Sequence, residues 1–101
     1  MNEHIFQSLI DNIMQHYGIP MEEIFTDAKD YKSKEPRQLF FYLCHKKGIP
    51  VVSIQNFLLD NNFSLHHSNI IRGVKRMDSK IQSNPHYDGI IQKLETIKRY
   101  A

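Results

Sequence analysis

The 101-residue chain is 41% hydrophobic and 24% charged with a formal charge of +2, which suits one small domain with a modest core and leaves no room for a second. Cys44 is the only cysteine, so an intrachain disulfide and a thiolate-rich zinc site are both excluded. No apolar run approaches the roughly 20 residues of a membrane span, and the N-terminus lacks the basic start and apolar middle of a signal peptide; a soluble, cytoplasmic protein is expected.

The first segment reads as a helix from Glu3 to Tyr17, because Phe6, Leu9, Ile10, Ile13 and Met14 mark one face and Gly18 can end it. A second, short helix follows, with Pro20 near its first position, Glu22 and Glu23 favourable to the dipole there, and Ile24 and Phe25 turned inward. Up to residue 28 there are five acids and no Lys or Arg, whereas residues 29–76 carry nine bases against three acids. The basic part is therefore the middle of the chain, and position says more than the total.

That middle opens with a charged loop over 26–33 that leads into a helix from about Glu35 to Lys46. Lys29, Lys32, Lys34 and Arg37 supply the cations, interrupted by Asp30, Tyr31 and Glu35. Leu39, Phe40, Leu43 and Cys44 are expected to pack inward with Phe41 and Tyr42 flanking, and Gly48 to end the helix. A helix from about Pro50 to Leu59 carries Val51, Ile54, Phe57 and Leu58, and Asp60-Asn61-Asn62 is a turn signal.

The stretch from Ser64 to Met77 reads as an amphipathic helix, continuing to about Lys80, with Ser64 as its N-cap. Ile70, Val74, Met77 and Ile81 form the buried stripe. His66, His67, Ser68 and Asn69 then lie outside in the first turn, followed by Arg72, Lys75 and Arg76. Small hydrogen-bonding side chains at the front and cations behind are what a helix needs to read base edges and hold phosphates. With the preceding helix it has the outline of a helix-turn-helix. A last helix, starting at Asn84-Pro85 and carrying Tyr87, Ile90, Ile91, Leu94 and Ile97, closes an all-α bundle of about six helices.

Catalytic and metal chemistry find little support. His66 and His67 are adjacent, so on a helix they point about 100° apart and suit one metal poorly. The neighbours Cys44 and His45 also diverge, which leaves the thiol without an imidazole base. The four glycines are too dispersed for a phosphate-binding loop. No enzyme, cofactor or metal is expected.

Three patches in order carry a resemblance that covers nearly the whole chain. The segment Ile10 to Ile24, the tripeptide Pro36-Arg37-Gln38 and the run His67-Ser68-Asn69-Ile70 together resemble the C-terminal DNA-binding domain, domain IV, of the bacterial chromosomal replication initiator DnaA. The resemblance implies one domain over residues 1–101, standing alone without the family's ATPase domain. It also implies a basic loop at the minor groove and backbone, with the helix front in the major groove. By position, Lys29 would lie near the minor groove, Arg37 and Gln38 near the backbone, and His67 with Ser68 at the bases. His66 stands where the family has Asp, Leu65 where it has Arg and Asn69 where it has Thr, and the connection before the recognition helix is several residues longer.

The function expected is sequence-specific binding of double-stranded DNA, in the regulation of replication or transcription. Lys29, Lys32, Lys34, Arg37, Gln38, His66, His67, Ser68, Asn69, Arg72, Lys75 and Arg76 form the expected interface. A protein-binding adaptor that keeps the fold without the DNA affinity is the alternative, suggested by the acidic first quarter and by a basic loop in which Tyr31 and Glu35 stand where the family resembled has arginines, with a protein partner or a second copy as ligand. A single-strand or RNA binder would use Tyr31 as a stacking platform, but most of the aromatic residues sit at helical core spacing.

Overall fold

The structure, a computed structural model, describes residues 3–25 and 31–96, and the side chains of all of these except residues 31 and 32. Six helices and no strand occur among the described residues: α1 (Glu3–Tyr17), α2 (Met21–Ile24), α3 (Tyr31–Lys46), α4 (Val51–Asp60), α5 (His67–Ser83) and α6 (Tyr87–Leu94). The all-α bundle expected from the periodicity is the fold observed. None of these helices is long and apolar enough to cross a membrane.

Helix α1 runs over the expected span. Phe6, Leu9, Ile10 and Ile13 are buried, and Gly18 adopts φ +67° as its N–H donates to the Met14 carbonyl at 2.8 Å. That left-handed closing residue costs glycine nothing, having no Cβ. The core continues through the rings of Phe25, Phe40 and Phe57. Phe6 stacks on Phe57 with centroids 4.5 Å apart, and Phe25 meets Phe40 edge-on at 5.4 Å. Burying a phenylalanine such as Phe40, which is wholly enclosed, stabilises the fold by about 2 to 3 kcal/mol.

Helix α3 begins at Tyr31, earlier than the expected Glu35, and Pro36 lies inside it. Proline in a second turn removes one backbone hydrogen bond. Tertiary anchors outweigh that loss: Ser33 and Pro36 are buried, and Glu35 accepts hydrogen bonds from Tyr17 of α1 at 2.6 Å and Tyr87 of α6 at 2.5 Å. Phe41, expected at the flank, is core at 2% exposure. Its ring lies against Gly73 of α5, where a Cβ would stand 2.8 Å from Phe41 Cδ2. The absence of that Cβ is what lets α3 and α5 approach.

The end of α4 justifies the turn read at Asp60-Asn61-Asn62. Asn62 takes φ +69°, its N–H bonds the Leu59 carbonyl at 3.0 Å, and the Phe63 N–H reaches back to Leu58 at 2.8 Å. This is a Schellman closure with asparagine in the place glycine usually holds. Residues 61–66 then lead to α5, which packs on both α3 and α4, an arrangement consistent with a helix-turn-helix.

Two starts differ from expectation. The N-cap of α5 is His66, not Ser64, because Leu65 is drawn into the core and its carbonyl accepts from Gln55 at 3.0 Å, which places the chain entry later. Helix α6 starts at Tyr87 and not at Pro85. The Asn84 carboxamide oxygen accepts from the His86 N–H at 3.1 Å, so Pro85 sits inside a side-chain-stabilised turn. Asn12 of α1 donates to the Leu94 and Thr96 carbonyls at 3.0 and 2.7 Å, satisfying the far end of α6. Ile97, expected on the α6 face, lies outside the described residues.

Candidate nucleic-acid interface

The packing of α5 on α3 determines which charged side chains share a surface. Because Gly73 and Phe41 interlock on the inner side, Arg72 and Arg76 flank the seam on the outer side, opposite Lys34, Arg37 and Gln38. A cleft of about 180 Å³ lies there, lined by these five together with Asn69, Leu65, Phe41 and Gly73. It opens into a wider groove of about 580 Å³ that adds Lys75, Ser79, Lys80 and Glu35. Cations drawn from two helices thus border one trough.

The front of α5 presents a second, adjoining surface. His67, Ser68, Asn69, Ile71, Arg72 and Lys75 are all exposed. Helical rotation divides them: His67, Ser68, Ile71, Arg72 and Lys75 border a depression of about 300 Å³ on one flank, whereas Asn69 turns toward the α3 cleft. Arg72 borders all three hollows.

His66 acts as the cap. Its Nδ1 accepts the Ser68 backbone N–H at 3.2 Å and lies 2.7 Å from Ser68 Oγ. His67 stacks on it with centroids 4.3 Å apart. One of the four unpaired N–H groups at the helix start is thereby satisfied. The Ser68 hydroxyl is engaged in the same small network.

Within the trough, Arg37 Nη1 donates to the Ile24 carbonyl at 3.4 Å, tying α3 to the end of α2. Gln38 is only 8% exposed, and its Oε1 accepts from Lys80 Nζ at 3.1 Å. Glu35 is the single acid among the residues lining the trough. Burial opposes its ionisation, but the hydroxyls of Tyr17 and Tyr87 and the charges of Lys80 and His86 outweigh burial and hold the carboxyl below its ordinary value. The bond to Glu35, with burial, pushes the Tyr87 phenol up to about 12; Tyr17 is raised mainly by burial and then by the same carboxylate.

Of the residues expected at the interface, Lys34, Arg37, Gln38, Asn69, Arg72, Lys75 and Arg76 are gathered around the trough, His67 and Ser68 border the adjoining depression, and His66 caps the helix beside them. Lys32 lies on α3 with its side chain outside the description, and Lys29 is outside the described residues. Lys80 and Ile71 were not in the expected set. The signal for Lys80 was present in the four-residue spacing Arg72, Arg76, Lys80. Cys44 is fully buried, and burial raises its thiol pKa, which keeps it protonated. Among the described residues no three His, Cys, Asp or Glu side chains come together as a metal-binding group.

No protein-family model matches the chain, and no solved structure matches it significantly. Two curated proteins do. Chromosomal replication initiator protein DnaA 1 of Chlamydia pneumoniae is 30% identical over 78 residues, 77% of this chain and 16% of that protein. Chromosomal replication initiator protein DnaA of Lachnoclostridium phytofermentans is 23% identical over 87 residues, 85% of this chain and 18% of that protein. The chain thus spans less than a fifth of the length of these relatives. Across more than three quarters of its own residues, it is similar to the C-terminal domain of the replication initiator DnaA.

Proposed function

We propose that this chain is a DNA-binding domain, comprising residues 1–101, that recognises a preferred sequence in double-stranded DNA and serves in replication or its regulation, including transcriptional control. The observation that carries the reading is the junction of two surfaces: the exposed polar front of α5 runs directly into a trough bordered by Lys34, Arg37, Arg72, Lys75 and Arg76. Duplex recognition divides its work in the same way, with base edges read at the front of a helix and phosphates held by cations alongside. The similarity to proteins named as chromosomal replication initiators supports the replication role.

A fluorescence-anisotropy titration against random duplex, single strands and RNA at two salt concentrations tests this. Duplex preference is expected, with log affinity falling against log salt at a slope of roughly −3 to −4 if about four of the cations touch phosphates. Enrichment from a random duplex library then gives the preferred site. A flat salt response, or no binding, supports a protein-binding adaptor instead. One observation favours that second reading: Val52 and Leu59, two turns apart on α4 with Gln55 and Asn56 between them, are 59% and 58% exposed, two apolar side chains for a protein partner or a second copy to cover.

A further inference from the structure

Arg72, Arg76 and Lys80 recur every four residues along α5. They therefore rise about 6 Å per step and about 12 Å in all on one side of the helix. All three border the groove between α5 and α3, with Lys34 and Gln38 on the facing wall. Lys80 is exposed, yet it is not left to sample solvent. Its ammonium donates to Gln38 Oε1 at 3.1 Å, and Gln38 is held at 8% exposure. A lysine side chain loses considerable rotamer freedom when it is fixed. Here the folding of the domain has already imposed that loss, which lowers the cost of using the group for binding.

One of the three ammonium protons serves Gln38, and the other two remain to donate. Lys80 also helps to keep Glu35 ionised. The oxygens of that carboxylate are already bonded to Tyr17 and Tyr87, and Lys80 forms no direct ion pair with it among the described residues. The ammonium is thus a pre-aimed cation at the end of a basic groove.

We propose that this groove seats one phosphodiester strand of bound duplex DNA, and that Lys80, aimed by the Gln38 amide, is a phosphate contact at its far end. Consecutive phosphates of one strand lie about twice as far apart along the backbone as their axial rise of roughly 3.4 Å, so a ridge of about 12 Å faces two or three of them. The inference rests on the duplex-binding reading above, and it adds to that reading a path for the strand and a residue. Gln38 becomes a positioning residue, acting through Lys80.

The test is an anisotropy salt series from 50 to 200 mM NaCl on a random-sequence duplex, with unfolding midpoints measured for each variant. Lys80→Ala should flatten the log-log slope by about 0.9, so that its deficit against the wild type is roughly threefold larger at 50 mM than at 200 mM. Lys80→Arg should retain the wild-type slope. Lys93→Ala, on α6 and away from the trough, should also retain it. An unchanged slope for Lys80→Ala overturns the proposal, and so does an equal flattening by Lys93→Ala, which would reduce the effect to net charge. If the wild type itself ignores duplex DNA, the duplex-binding reading fails and the proposal fails with it. If the wild type binds and only Lys80→Ala is silent, the reading stands and the path for the strand is wrong.

Discussion

The joint between α3 and α5 can be tested at one atom. Gly73→Ala adds a Cβ where Phe41 Cδ2 stands 2.8 Å away, with Phe41 Cε2 at 3.6 Å and Gln38 Cγ at 3.7 Å. In an open helix interior the same change would stabilise by about 1 kcal/mol through helix propensity. Here the ring must yield, and it is enclosed: Phe41 is 2% exposed, with Phe25 and Phe40 rings at 6.2 and 6.0 Å. Overpacking of a closed site costs about 1 to 3 kcal/mol, so the net expectation is a loss of roughly 1 kcal/mol. For a domain of this size that lowers the melting midpoint by about 4 to 8 °C. Urea unfolding followed by circular dichroism should show a lower midpoint at unchanged m-value. In a Phe41→Leu background the added methyl should cost less, giving a coupling energy of about 1 kcal/mol between the two sites. A Gly73→Ala protein more stable than wild type would refute the close packing and, with it, the geometry assigned to the trough.

Three further outcomes follow from other parts of the structure. Because the carboxyl of Glu35 is held below its ordinary value, its contribution is complete at neutral pH, and it is lost as pH falls below the unfolded value of about 4.3 and through the folded one. The Tyr87 phenol, raised to about 12, contributes below its unfolded value of about 10 and ceases to do so as pH rises through 12. Urea midpoints against pH should trace both limbs, and Glu35→Gln should flatten the acid one. His66→Ala removes the cap on Ser68 N–H and should cost about 0.5 to 2 kcal/mol, whereas His66→Asp should match or exceed the wild type, since a carboxylate caps well and suits the helix dipole; an Ala variant as stable as the wild type would show that the cap contributes nothing. On DNA, Asn69→Ala should cost roughly 1 to 3 kcal/mol at a preferred site and little on random duplex, while Arg76→Ala should weaken both alike; equal losses for Asn69→Ala on both would remove that residue from base reading.

Local chemistry was sufficient for much of this molecule. The apolar spacing from Phe6 to Ile13 with Gly18 behind it defines α1 within the sequence, since helix period and a left-handed closing residue are both short-range properties. The polar front and cationic back of α5 were likewise legible, as was the turn at Asn61 and Asn62, because side chains three to four residues apart share a helix face wherever the helix is placed. What the sequence alone did not reveal depends on partners far along the chain. Helix α3 starts at Tyr31 because Glu35 is bonded to Tyr17 and Tyr87, the latter 52 residues away. Phe41 becomes core because Gly73 lacks a side chain at the point of approach. The groove acquires Lys80 because Gln38, 42 residues earlier, presents an amide oxygen to it. Periodicity along one helix states which residues share its face, but only the crossing of two helices decides which face meets which, and therefore which charges border a common trough.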